Sequence, residues 1–213
     1  MSDTVHRALI VIDVQNEYVT GNLPIEFPDV GLSLSNIGRA MDAAREAGIP
    51  VVVVQNFAPA AAPLFARGSQ GAELHEVVSS RPRDHYLTKN LPSAFAGTEL
   101  EEWLHEHHID TLTVVGYMTH NCDDATVKHA LHAGFAVEFL SDASGAVPYS
   151  NRAGTASAED IHRIFTVVMQ SRFAAVMGTD EWISAVRAGS VPERDTIFGS
   201  NQRARLERQR RVA

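Results

Sequence analysis

Cys122 is the only cysteine among the 213 residues. A lone thiol in a chain with plentiful His and Asp cannot form an internal disulfide and is a candidate nucleophile instead. The sequence places it in the first turn of a helix that follows Gly116. Unpaired backbone N–H groups and the positive end of the helix dipole favour a thiolate there, so an unusually acidic thiol is expected. Asp13 and Lys89 each end another strand-like run. A Lys89 ammonium would stabilise the thiolate, and an Asp13 carboxylate would accept the thiol proton and pass it to a leaving amine. Backbone N–H groups at Met118 and Cys122 would hold the oxyanion formed on a carbonyl, an arrangement that commonly lowers a barrier by about 3 to 4 kcal/mol. Taken singly these signals have bland readings: a core cysteine, a turn aspartate, a solvated lysine. Chemistry requires that the fold bring all three together.

The elements needed for that are legible. Ala8 to Ile12 is a continuous apolar run ending at Asp13, and Val51 to Val54 repeats it, as strands buried on both faces of a parallel sheet do. Between them Leu34, Ile37, Ala40, Met41 and Ala44 recur at helical spacing until Gly48 and Pro50 stop the helix. Further strands are expected at His85–Thr88, Thr111–Val115, Ala136–Leu140 and Ala174–Met177. Helices are expected from Thr98, over about Thr119–Ala133, over about Ala158–Gln170, and from a cap at Thr179. Sustained β-then-α order predicts an α/β fold: a doubly wound, mostly parallel sheet with helices on both faces. Ligands in such sheets bind outside the carboxyl ends of the strands, which is where Asp13, Lys89 and the stretch Gly116–Cys122 fall.

Three segments, Leu9-Ile-Val-Ile-Asp-Val-Gln-Asn-Glu-Tyr18, Lys89-Asn-Leu-Pro-Ser-Ala-Phe95 and Val114-Val-Gly-Tyr-Met-Thr-His-Asn-Cys122, resemble in order and separation the signature blocks of isochorismatase-like cysteine hydrolases. The resemblance covers about residues 7 to 180. It implies a sheet of about six strands, with Asp13 as acid/base, Lys89 as the lysine and Cys122 as the nucleophile, and a cis peptide at Tyr117-Met118 that aims the Met118 N–H inward. Nicotinamidase members place an Asp and several His after the second strand to bind a metal. This chain has Gln55-Asn56-Phe57-Ala58-Pro59 there, so no metal and no cofactor is expected. Members that cleave a vinyl ether can lack the cysteine, so Cys122 argues for hydrolysis of a small-molecule amide or amide-like C–N bond through a thioester. A vinyl-ether hydrolase, a noncatalytic ligand-binding member of the fold and a redox sensor are the alternatives. The resemblance further implies a homo-oligomer, a dimer or tetramer.

Gln15, two residues past Asp13 in an extended segment, is expected to bind substrate or orient Asp13. Tyr18, Phe57, Phe95 and Tyr117 are candidate apolar walls of the substrate site, and His120 is a candidate substrate contact. The cluster His105, His107 and His108 reads as the wet face of an amphipathic helix around Trp103 and Leu104, and His129 and His132 as structural. The loop Phe57–Gln70 is long enough to wall or cover a site. With 18 basic and 26 acidic residues the net charge is −8, which disfavours nucleic-acid or anionic-membrane partners and leaves small molecules. No signal peptide precedes the first strand, so a cytoplasmic chain is expected. Residues 1–190 read as one hydrolase domain and 191–213 as an Arg-rich tail, in which Asn201–Ala213 is expected to be solvated or frayed rather than a helix exchanged with another subunit.

Overall fold

The computed structural model describes residues 5–212; the start of the polar N-terminal stretch and Ala213 lie outside them. Six strands make the central sheet: β1 (Arg7–Ile12), β2 (Val51–Asn56), β3 (His85–Lys89), β4 (Thr111–Tyr117), β5 (Ala136–Gly145) and β8 (Ala175–Met177). All neighbours are parallel and the spatial order is β3-β2-β1-β4-β5-β8. The order reverses between β1 and β4, which leaves a crevice outside their carboxyl ends where neither crossover helix covers them. Ile12 pairs with Gly116 there, so the residues that follow, Asp13 on one strand and Tyr117 to Cys122 on the other, leave the sheet side by side.

Each face of the sheet carries its own apolar core, because the strands are buried on both sides. On one face α1 (Val30–Glu46) and α6 (Thr179–Ala188) bury Leu34, Ile37, Met41 and Trp182 against Leu9, Val11, Val53 and Val115. On the other, α3 (Leu100–Glu106) and α4 (Asp124–His132) bury Leu100, Leu104, Val127 and Ala130 against Ile10, Ile12, Val54 and Val114. The remaining α-helices and strands are the one-turn α2 (Glu76–Ser79), the hairpin β6 (Tyr149–Asn151) with β7 (Gly154–Ala156), α5 (Ala158–Val168) and α7 (Ile197–Val212).

Four expectations are corrected. β5 runs five residues beyond Leu140, to Gly145; Ser141 and Asp142 break the apolar pattern, and after a register shift Ser144 and Gly145 pair with Gly116 and Tyr117. The helix expected from Thr119 is interrupted, since Thr119–Asp123 form a π turn in which the Asp123 N–H reaches the Met118 carbonyl (3.2 Å) before α4 begins. Thr179 does not cap α6: Gly178 occupies the cap position, and the Thr179 N–H and hydroxyl both donate to Asp142 (2.8 and 2.7 Å). The tail is helical rather than frayed. Arg, Gln, Ala and Leu are strong helix formers, Thr196 accepts from the Gly199 N–H (3.0 Å), and Arg203 pairs with Asp195. Its side chains through Arg210 are almost all exposed, as expected of a solvated segment.

Candidate active site

Gly116 makes the closest approach between the two central strands possible. Its φ is +119°, and a Cβ there would lie 2.0 Å from the Ile12 carbonyl oxygen, so no other residue fits. Across from it Asp13 sits at φ +52°, a left-handed conformation that Asp tolerates better than most side chains. The Tyr117–Met118 peptide is cis. The nucleophile turn is tied down on both sides. The Thr126 hydroxyl donates to the Cys122 carbonyl (2.7 Å) and accepts from the Ala94 N–H (2.9 Å), which fastens the Lys89–Phe95 segment to it. Thr119 donates to the Gly145 carbonyl (3.1 Å) and pairs with His162 Nδ1 (2.9 Å).

These constraints bring the three candidate residues into one cluster. Lys89 Nζ lies 2.6 Å from Asp13 Oδ2 and 3.3 Å from Cys122 Sγ. The Lys89 and Asp13 side chains have no solvent exposure and Cys122 has 6%. Burial raises the Asp13 pKa despite the Lys89 charge beside it. Burial alone would lower Lys89, but attraction to Asp13 and Cys122 outweighs it and the ammonium is held. Cys122 departs from expectation: burial pushes its thiol up, the Asp13 carboxylate adds to that, and Lys89 offsets only part. The direction of the Cys122 shift favours a thiol whose proton leaves as it attacks, with Asp13 placed to take it.

The other candidates divide. Gln15 is corrected to a structural role: its amide donates to the Asn56 and Ala72 carbonyls (2.9 and 2.7 Å) and accepts from the Asn56 N–H (2.9 Å). It clamps the loops after β1 and β2, with no N–H left for a ligand. Phe95 is likewise core, stacked on His129 at 4.8 Å and packed near Phe135 at 6.1 Å. Tyr117 is fully buried, its hydroxyl bonded to Ser33 (2.6 Å), and it supports Tyr18 from behind with ring centroids 5.4 Å apart. Tyr18 lies within the field of Cys122 and Asp13; burial first, then those two groups, raise its pKa well above the usual phenol value. Phe57 is half-buried on the loop after β2. His120 is half-buried beside Tyr149 (ring centroids 5.0 Å), and neither ring nitrogen has a hydrogen-bond partner among the described residues. Burial, and then His162, lower its pKa to about 4. The helical histidines stack on aromatic rings, His107 on Trp103 at 4.0 Å and His105 on Phe135 at 5.2 Å.

Four residues near the site were not singled out individually in the sequence. Asp123 is fully buried, with both carboxylate oxygens unpartnered among the described residues; burial and then the Asp13 charge raise its pKa to about 8. An Asp in a first helical turn ordinarily reads as a cap. Tyr149 reaches the site on the β6–β7 hairpin, close enough that Cys122, after burial, raises its pKa. Glu17, nearly buried, accepts from the Asn22 N–H (2.6 Å) and the Phe65 N–H (3.1 Å) and so orders the loop after β2. Arg67 lies on that loop.

Among the described residues no helix is long and apolar enough to cross a membrane. Residues 7–181 match the family model of the isochorismatase domain. The crystal structure of an isochorismatase-family protein from Burkholderia xenovorans LB400 superposes with a TM-score of 0.96 at 69% identity, covering 97% of this chain and 99% of that one. Streptothricin hydrolase of Streptomyces noursei is 33% identical over 87% of this chain and 64% of its own length. Ureidoacrylate amidohydrolase RutB of Methylobacterium radiotolerans is 29% identical over 84% of this chain and 76% of its own. With the six-stranded parallel sheet, the strand order and a family match over most of its length, the chain belongs to the isochorismatase family of hydrolases.

Proposed function

We propose that the protein is a cysteine-dependent hydrolase of a small-molecule amide or amide-like C–N bond, with Asp13, Lys89 and Cys122 as its catalytic residues. The observation that carries this reading is the position of Lys89 Nζ, within reach of both Asp13 Oδ2 and Cys122 Sγ in a site closed to solvent. The relatives that act on amides, streptothricin hydrolase and ureidoacrylate amidohydrolase, support the choice of bond.

Asp13 takes the thiol proton as Sγ forms its bond to the substrate carbonyl carbon. The carbonyl oxygen becomes an oxyanion, received by the Met118 and Cys122 N–H groups. Collapse breaks the C–N bond, and the departing nitrogen takes the proton from Asp13, leaving a thioester on Cys122. A water then attacks the thioester carbonyl while giving its proton to Asp13. The acid leaves, and the expelled thiolate recovers that proton. Lys89 stays protonated throughout: it offsets the negative charge wherever it resides, on Asp13 at rest or on sulfur and oxygen in between. A raised thiol pKa is compatible with this sequence because the proton moves as the bond forms.

The test is product release, followed by ammonia assay and mass spectrometry, from a panel of small amides, ureido acids and lactams. The wild type is compared with Cys122→Ala, Asp13→Asn and Lys89→Ala. Turnover by the wild type and its loss in all three variants is expected. Turnover surviving in Cys122→Ala would overturn covalent catalysis.

A further inference from the structure

α7 is a 16-residue helix whose apolar residues Ile197, Phe198 and Leu206 are all more than half exposed, Phe198 at 75%. A helix of that length is marginal in water without a packed face. Its root is fixed to the body. The Asp195 N–H donates to the Gln170 carbonyl (2.9 Å), the Gln170 amide to the Glu193 carbonyl (3.3 Å) and the Arg194 guanidinium to the Arg172 carbonyl. Beyond the root, Phe198, Gln202, Arg205 and Gln209 recur at helical spacing and share one face, with Leu206 and Arg208 flanking it. That face is aromatic at one end and basic along the rest. Arg203 is held by Asp195, whereas Arg205, Arg208 and Arg210 pair with no carboxylate among the described residues.

The body of the chain carries the complement of this face. Next to the root of α7 is a cavity of about 470 Å³ lined by Leu131, Phe135, Val137, Ala175 and Pro192, with Glu193 and Arg194 completing the wall. Phe198 of the same chain stands in solvent instead of filling it. His105 of α3 stacks on Phe135 of the wall (5.2 Å), so α3 borders the cavity. There Glu99, Glu102 and Glu106 lie exposed, a turn apart on one side of the helix. Glu99 faces only His85 (3.8 Å), and Glu102 and Glu106 pair with no cation among the described residues. Phe198 and Arg205 are separated by about 10 Å along the helix axis, and Glu99 and Glu106 by the same rise. An apolar hole followed by an acidic stripe thus matches an aromatic knob followed by a basic one.

We propose that two copies of the chain pair through α7: Phe198 of each copy enters the other's cavity against Leu131 and Phe135, and Arg205 and Arg208 lie along Glu102 and Glu106 of the other's α3. Knob and hole sit on one chain, so a two-fold axis satisfies both at once and closes the assembly at this contact. The basic helix also overcomes a general repulsion, since each copy carries a net charge of −8. α7 lies outside the matched residues 7–181, so the contact is additional to the family's domain. The inference is independent of the amidohydrolase reading.

Light scattering and sedimentation of the full chain test it. The wild type is expected at the mass of two chains or a multiple, against 23.2 kDa for one, and Phe198→Asp should halve that mass. Arg205→Glu/Arg208→Glu and Glu102→Lys/Glu106→Lys should each raise the dissociation constant by about tenfold or more. Mixing the two charge-swapped chains should restore the pair, because every contact in it again joins opposite charges. Near-UV circular dichroism establishes that each variant is folded. The contact itself is read by oxidation in a Cys122→Ala background, where Leu131→Cys chains mixed with Phe198→Cys chains should give the mixed disulfide-linked pair. A monomeric wild type, an assembly indifferent to Phe198→Asp and to the charge swaps, or disulfides between two Phe198→Cys chains in place of the mixed pair overturns the proposal.

Discussion

Lys89 Nζ stands 2.6 Å from Asp13 Oδ2 across 76 residues of sequence, with both side chains wholly shielded from water. Removing one member of such a pair strands the other charge in a poorly solvating interior, a loss of about 3 to 5 kcal/mol. Lys89→Ala is therefore expected to be destabilised by about that much in urea unfolding, as well as inactive. The double variant Asp13→Asn/Lys89→Met should recover much of the stability and none of the activity. A Lys89→Ala protein as stable as the wild type would contradict the pair's observed isolation.

The reactivity of Cys122 toward iodoacetamide follows from the upward push on its thiol, by burial and then Asp13. Alkylation of the free wild type should keep accelerating above pH 9, with no thiolate plateau near neutrality. Asp13→Asn removes one of the raising causes while leaving Lys89 in place, so its alkylation at pH 8 should be faster although its turnover is lost. A plateau below pH 7 in the wild type would show a preformed thiolate and remove the need for Asp13 as base.

Asp123 makes stability fall as pH rises towards 8. Its pKa is raised to about 8 in the fold, by burial and then Asp13, from an ordinary 3.8. Its neutral form is tolerated below pH 4 without penalty. As pH rises from about 4 to 8 the unfolded chain releases this proton and the folded chain retains it, so the folded state progressively loses stability. Asp123→Asn has no such proton, and its melting temperature relative to wild type should climb by several degrees, roughly, across that window. Parallel melting curves at pH 5 and pH 8 would show that Asp123 ionises normally.

His120 and His162 act on the acid side with the opposite sign. Burial is the leading cause that lowers each to about 4, His162 adding to the shift of His120. Between pH 6.5 and 4 the unfolded chain gains protons that the folded chain refuses, so stability falls as pH drops through that interval. Replacing His120 by Gln should flatten the loss seen in melts from pH 7 to pH 4.5, and an unchanged slope would exclude His120 as a contributor.

Two glycines separate conformational cost from steric cost. Gly48 at φ +70° has nothing within 4 Å of where a Cβ would stand, so Gly48→Ala should cost about 1 kcal/mol, from the left-handed backbone alone. Gly116→Ala would put a methyl group 2.0 Å from the Ile12 carbonyl, and the variant is expected to lose more than about 4 kcal/mol or fail to fold. Equal stabilities for the two variants would contradict the close approach of β1 and β4.

The order of elements, the parallel sheet and the strand ends that carry Asp13, Lys89 and Cys122 were all legible in the chain. They follow from local rules: continuous apolar runs for strands buried on both faces, 3.6-residue periodicity between them, and glycine and proline at the breaks. The family match extends the same reading over residues 7–181. The side of the site facing the substrate was less legible. Gln15 and Phe95 were candidates on spacing and type, yet one is consumed by three hydrogen bonds to loops and the other by stacking on His129. Spacing says which way a side chain leaves its own element and nothing about what another element places there.

Tertiary structure alone decided the electrostatics. The helix start and the lysine suggested an acidic thiol, because both are local features. Burial within the fold and the proximity of Asp13 reverse that direction, and both depend on residues far away along the chain. Asp123 and Arg67 make the same point in opposite senses: an ordinary cap position becomes a buried acid, and an ordinary surface arginine becomes an unpaired cation over an aromatic ring at a cavity wall. Sequence determined the sheet and the residues at its strand ends, since those depend on near neighbours and on repeating patterns. Desolvation and charge pairing depend on which distant groups converge in three dimensions, and only the fold sets those.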